Sequence, residues 1–328
     1  MHRLLLMTVS VAALVLAVSA AGAPSKTTAT SDLKVALIAP SAHNDLAFTQ
    51  SMYQALRNHS KKYGFELSIS ENQFVVANAA NIIRQYASQG YDLIIAHGSQ
   101  YGGTIEQLAP QFPKTSFAWG TAGATFGQPN VYAYEAASEQ GGFVNGYIAS
   151  LMSKSKVLGV IGPIAVGDAK LYVDGFAAGA KAQSKKTVVN VAYTGSFSDP
   201  SLMSKQAAQF VAQKADVLTG SSQSVVGAIA VVRENNIKWF GTQWTQASLA
   251  PKNVVATQMY DWMPTLTKII TRVANGKLGG VSYRISLKNG GEKIQFNKAA
   301  ATPKKIQDRA QKVIARIVGG QIVVKTAP

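Results

Sequence analysis

Short runs rich in β-branched and other apolar residues alternate along this chain with longer segments whose apolar positions recur every three or four residues. The first pattern predicts buried strands and the second amphipathic helices. In the first half, strands fall at 34–39, 65–70, 92–97 and 115–119, with helices at 46–63, 77–89 and 103–110. The rhythm then restarts. A helix over 136–152 leads to strands at 156–161, 187–193, 216–219 and 237–241, with helices at 168–184, 201–214 and 224–235 between them. Alternation at this pitch builds parallel sheet from βαβ units. Two sets of similar size predict an α/β protein of two lobes, each a doubly wound sheet flanked by helices.

The later elements follow a different order. A strand near 254–257 and a helix over 263–275 precede a hairpin-like pair, 281–287 and 292–296, around Asn289-Gly290-Gly291. These read as the chain crossing back between lobes. The expected division is residues 33–135 plus about 258–280 for the first lobe, and 136–257 plus about 281–328 for the second. Crossing segments make a hinge on which two lobes can close over a ligand.

Residues 1–23 have the parts of a secretory signal peptide: Arg3, an apolar run from Leu4 to Val18, and a small-residue cleavage site at Ala21-Gly22-Ala23. Residues 24–32 read as a flexible polar stub. The chain has no cysteine. That excludes disulfides, thiolate metal sites, a cysteine nucleophile and lipid attachment at a cysteine after the leader. A free, exported monomer held in a bacterial periplasm is the expected form.

Net charge is +16, and removing the leader, with Arg3 and no acid, leaves +15. Ten Lys or Arg lie in residues 281–328 against Glu292 and Asp308. A basic face can meet nucleic acid, but an exported protein rarely encounters any. A solvated basic face, or attraction to an anionic membrane or acidic partner loops, fits better.

Ligands of open α/β sheets sit beyond the carboxyl ends of the strands. After the first strand come Asn44, Asp45 and Phe48. Either polar residue can cap the following helix, and Phe48 is either core or a stacking surface. After the strand ending near 97 come His97, Gly98, Ser99 and Tyr101, and Trp119 ends the next strand. The second set supplies Asp168, Phe197, Gln243 and Trp244, and Tyr260-Asp261-Trp262 follows the strand near 254. Rings interleaved with neutral hydrogen-bonding groups suit a flat, uncharged, heteroatom-rich small molecule. Catalytic readings find less support. No metal-ligand spacing, nucleophile elbow or phosphate loop is present, and no close pair of acids follows adjacent strands. Neither a cofactor, a metal nor enzymatic activity is expected.

Asp45-Leu-Ala-Phe48-Thr49-Gln50 resembles the D-x-S-F-N-Q motif of the BMP (basic membrane protein) family, the substrate-binding proteins of ABC importers. Gly90-Tyr-Asp-Leu-Ile-Ile95, Asp174-Gly175-Phe176, Tyr193-Thr-Gly-Ser-Phe197-Ser-Asp199 and Ala215-Asp216-Val217-Leu218 agree in order and spacing. The resemblance implies a type I periplasmic-binding fold with three crossing strands. It also implies a purine nucleoside or nucleobase between the lobes, met by Asp45 and Phe48, and permease subunits in the inner membrane as partners. One departure stands out. The family's G-x-D-x-D-Q segment, whose aspartate holds ribose hydroxyls, reads Gly241-Thr242-Gln243-Trp244-Thr245-Gln246 here. Loss of both acids favours a free base, since a carboxylate is the stronger acceptor for a diol. The remaining alternatives are a receptor of the same fold for a sugar, riboflavin or another heterocycle, and an exported nucleoside hydrolase.

Overall fold

The computed structural model describes residues 27–326, so the expected leader lies outside the described residues. The described part of the expected stub is tied down. Thr30–Asp32 forms a single 3-10 turn, and the Thr28 N–H donates to Ala274 O at 2.8 Å.

Two six-stranded sheets are formed. The first contains β1 (Lys34–Ile38), β2 (Glu66–Ser70), β3 (Leu93–Ala96), β4 (Ser116–Gly120) and β5 (Val131–Ala136). The second contains β6 (Val157–Gly162), β7 (Val188–Tyr193), β8 (Val217–Gly220), β9 (Lys238–Gln243) and β10 (Val254–Tyr260). Each sheet gains one late strand, β11 (Val281–Ile285) for the first and β12 (Glu292–Phe296) for the second. The spatial orders, β2-β1-β3-β4-β5-β11 and β7-β6-β8-β9-β10-β12, repeat one plan. Among the described residues all the strand pairs are parallel except β12 on β10.

Two expectations are corrected here. The pair after residue 280 is not a hairpin, because β11 pairs with β5 and β12 with β10. Residues 281–285 therefore sit in the first lobe's sheet, and the third crossing follows Ile285 rather than preceding Val281. The strand β5 is additional to those anticipated, and it lies between β4 and β11 with its side chains almost wholly buried.

Helices cover both faces of each sheet. Against the first pack α1 (Phe48–Tyr63), α2 (Val76–Ser88), α3 (Gly102–Leu108) and, from later in the chain, α8 (Met263–Ala274). Against the second pack α4 (Ser138–Met152), α5 (Gly167–Gln183), α6 (Pro200–Ala212), α7 (Val226–Glu234) and α9 (Lys304–Val318). Local chemistry sets several ends. The Asp199 carboxylate accepts from the N–H groups of Ser201 and Leu202, and Pro200 occupies the first turn of α6, where its missing N–H costs nothing. Gly64, at φ +81°, closes α1 in a left-handed conformation that L side chains avoid. The helix α9 was not among the expected elements; it buries Ile306, Ala310, Val313 and Ile317 at steps of four, three and four residues under an otherwise charged surface.

The chain crosses between sheets at 136–138, 260–263 and 285–292. Beside the crossings, Arg284 pairs with Glu135 of β5 (3.1 Å) and Glu139 of α4 (3.0 Å), joining the two lobes electrostatically. Among the described residues no helix is long and apolar enough to cross a membrane, and no cluster of three or more His, Cys, Asp or Glu is placed to hold a metal ion.

Candidate ligand cleft

The carboxyl ends of both sheets open on one cavity of about 450 Å³, part of it open to solvent. The first lobe contributes Pro40, Phe48, Phe74, Gly98, Ser99, Gln100 and Thr121. The second contributes Val166, Asp168, Ala169, Phe197, Ser221, Ser222, Gln223 and Gln243. Phe74 and Phe197 meet across the mouth with ring centroids 6.0 Å apart.

Phe48 forms one wall, and its support is specific. Its outer side borders the cavity while the ring stacks on His97 at 3.7 Å and 5° between planes. His97 is fully buried, its Nε2 3.2 Å from Phe48 O and its Nδ1 2.8 Å from the Tyr134 hydroxyl. A carbonyl only accepts, so Nε2 carries the hydrogen and Nδ1 accepts from Tyr134. Burial pushes the His97 pKa down to about 3, against a smaller opposite effect of the Phe48 carbonyl. Behind this pair stands Trp262, edge-on to His97, Tyr134 and Tyr260.

Six of the fifteen sequence-derived candidates line the cavity: Phe48, Gly98, Ser99, Asp168, Phe197 and Gln243. The others lie elsewhere, each for a physical reason. Asn44 is exposed on a turn. Asp45 caps α1. Its oxygens accept from the N–H groups of Ala47, Thr49 and Gln50 at 2.9, 3.1 and 3.0 Å and from the Ser41 hydroxyl at 2.7 Å. Burial raises the Asp45 pKa, and these donors pull it back. In this structure the acceptor sites of Asp45 are filled by the chain itself, and it does not line the cavity. His97 backs Phe48 from within the core. Tyr101 is buried and donates to Gln73 O at 2.7 Å. Trp119 packs on Phe126, and its indole N–H donates to Gly98 O at 3.1 Å, holding a cavity-lining loop from behind. Trp244 is half-buried outside the lining; the ring facing Phe48's lobe is Phe197 instead. Tyr260 and Trp262 are core residues tied to Ser138 and Ser51. Asp261 accepts from Met263 N–H at the start of α8 and pairs with Lys293 at 3.1 Å.

Phe74 and Thr121 were not among the sequence candidates. Thr121 and Gln243 both line the cavity with positive φ, +65° and +68°. Such backbone is strained for residues with a Cβ and tends to mark functional positions; no sequence pattern announces it.

The His97 environment predicts a pH effect. Its folded pKa lies below the unfolded one, so below about pH 6.5 the unfolded chain takes up a proton that the folded chain refuses, and stability is lost as pH falls towards 3. The raised carboxyls Asp45, Glu139, Asp168 and Glu292 act in the opposite sense, so the effect must be read as a difference. Between pH 7 and 5 the stability advantage of wild type over His97→Gln should shrink by about 2 kcal/mol. Urea midpoints at the two pH values measure it, and an unchanged gap refutes a neutral, buried His97.

Over residues 32–326 the sequence matches the family described as ABC transporter substrate-binding protein PnrA-like, Bmp. The chain belongs to the Bmp family. Among relatives of this Bmp chain, the purine-binding protein BAB2_0673 of Brucella abortus (strain 2308) is 26% identical over 298 residues, covering 90% of this chain and 84% of its own. The ABC transporter nucleoside-binding protein BmpA of Lactococcus lactis subsp. cremoris (strain MG1363) is 24% identical, with 89% of each chain covered. An ABC transporter solute-binding protein from Conexibacter woesei DSM 14684 superposes with a TM-score of 0.74 at 23% identity, over 90% of this chain and 99% of that one. The Bmp family is one of substrate-binding proteins, and the periplasmic-binding-protein fold is that of this chain.

Proposed function

We propose that this protein is a periplasmic receptor that carries a purine-type heterocycle, a free base rather than a nucleoside, to the permease of an ABC importer. The observation that carries this reading is the shared cavity itself: Phe48 and Phe197, rings of opposite lobes, line it together with Ser, Thr and Gln side chains and Asp168. Rings stack on the faces of a flat ligand while amides and hydroxyls address its edges. The purine- and nucleoside-binding names of the two relatives support the ligand class. Gln243 supports the free base. It occupies the cavity where the resemblance places a ribose-holding aspartate, and an amide is a weaker partner for a diol. The leader expected over residues 1–23 supports the compartment.

A thermal-shift screen of nucleobases, nucleosides, pentoses, hexoses and riboflavin tests the reading, because a ligand bound only by the folded state raises Tm by mass action. A base should raise Tm most, and its nucleoside clearly less. A dominant shift from a sugar or riboflavin would replace the purine assignment. Release of free ribose from inosine or uridine would replace binding by hydrolysis.

A further inference from the structure

Resting on the reading of the cleft as a heterocycle site, we propose that Asp168 sets its selectivity: one carboxyl oxygen accepts a hydrogen from an N–H or amino group on the ligand's ring edge, so donor-bearing neutral bases are taken and anionic relatives such as nucleotides and urate are refused.

Asp168 stands in the first turn of α5, 4% exposed, and lines the cavity. Oδ1 has one distant donor, Ala136 N–H at 3.5 Å, and Oδ2 has none among the described residues. Nearby acids are engaged differently. Asp45 is filled by α1 and Ser41, and Glu139 is held by Arg284. Glu292 accepts from Gln258 and Gly141, and though its Oε2 is also unpartnered, it does not line the cavity. A buried acceptor without a donor is costly, and the open side of Asp168 is the cleft. Gln223 and Gln243, whose Oε1 atoms also lack a protein partner, share that lining.

The charge balance points the same way. No Lys, Arg or His is among the described residues of the lining. An anionic ligand would find no cation to offset its charge, and ionising Asp168 to accept from its ring edge would set two uncompensated negative charges together. Asp168 is faced by Glu135 and Tyr134 on β5, Glu139 on α4, Arg284 on β11, Tyr260 on β10 and Glu292 on β12. Burial first, and Glu135 and Glu139 after it, push the Asp168 pKa up to about 8, while Ala136 N–H and Arg284 pull it down. In neutral solution the group holds its proton. A ligand that donates favours the ionised carboxylate, so binding expels that proton to solvent.

Isothermal titration of the protein with adenine, guanine, urate and AMP, at pH 6 and 8 and in two buffers of different ionisation enthalpy, tests this. Adenine or guanine should release close to one proton at pH 6 and bind more tightly at pH 8, by up to about tenfold per pH unit. Urate and AMP should bind at least about 100-fold more weakly, a difference of about two decades in Kd. Asp168→Asn, which keeps the shape, should weaken adenine or guanine about 10- to 100-fold and abolish proton release. Its ligand-free melting temperature should match or exceed that of wild type, since a buried ionisable group is gone. Urate or AMP binding as tightly as adenine, absence of proton release, or an unchanged Kd in Asp168→Asn overturns the proposal while leaving the receptor reading intact. Failure of the wild type to bind any neutral base overturns both.

Discussion

Phe48→Ala should weaken binding of a purine base about 10- to 100-fold, the loss expected for one base–aromatic stack. It should also lower folding stability by about 3–5 kcal/mol, the usual cost of emptying a buried phenylalanine site. Both effects come from one ring with two faces. Phe48 is 5% exposed, with the cavity on one side and His97 stacked on the other. Phe197 separates the two contributions. It is half-buried on the loop after β7, so Phe197→Ala should lose comparable affinity while changing stability by less than about 1 kcal/mol. Titration calorimetry and urea denaturation on the two variants measure this. Wild-type affinity in both would remove the aromatic walls from the binding mechanism.

The support behind Phe48 also explains how the sequence misdirects. Tyr260 and Trp262 resemble a ligand-facing aromatic patch, yet they form the inner layer on which His97 and Tyr134 rest. An aromatic residue near a crossing segment reads identically in sequence whether it faces the cleft or props the wall one layer in. Asp45 is similar. Its position ahead of a helix serves capping as well as binding, and the backbone donors of α1 claim its oxygens.

The βαβ rhythm exposed most of the fold, because parallel strands buried on both faces are continuous apolar runs. Elements were hidden where that contrast disappears. Val131–Ala136 runs into α4 through Ala137 alone, since there the chain crosses between lobes instead of turning. No Gly, Pro or Asn separates strand from helix. By contrast, the apolar stripe of α9 stands at plain helical spacing, Ile306, Ala310, Val313 and Ile317, among lysines and arginines that read first as a solvated basic face. The Asn-Gly-Gly turn between β11 and β12 suggests a hairpin, but periodicity cannot reveal that the flanking strands join different sheets. In the site, the strand-end loops were legible as a group. Their strained members were not, because positive φ at Thr121 and Gln243 is imposed by surroundings such as the Thr121 N–H bond to Tyr134 O at 2.8 Å.

Gly179→Val should destabilise the protein by more than about 4 kcal/mol, beyond the range of most single substitutions. The helices α4 and α5 touch through glycines spaced four apart on each, Gly142 and Gly146 against Gly175 and Gly179. A Cβ at Gly179 would lie 1.9 Å from Phe143 O, and one at Gly146 2.0 Å from Phe176 O. The obstacles are backbone atoms, so no rotamer change relieves them. The helices must part, which opens the core holding Val144, Ile148, Val173 and Ala180. Ligand binding should fall with stability, because α4 begins at the first crossing and α5 carries Asp168 in its first turn. Urea denaturation together with titration of a bound base checks both. A loss below about 1 kcal/mol, within the range of ordinary surface changes, would mean that the helices separate freely and that their contact does not position Asp168.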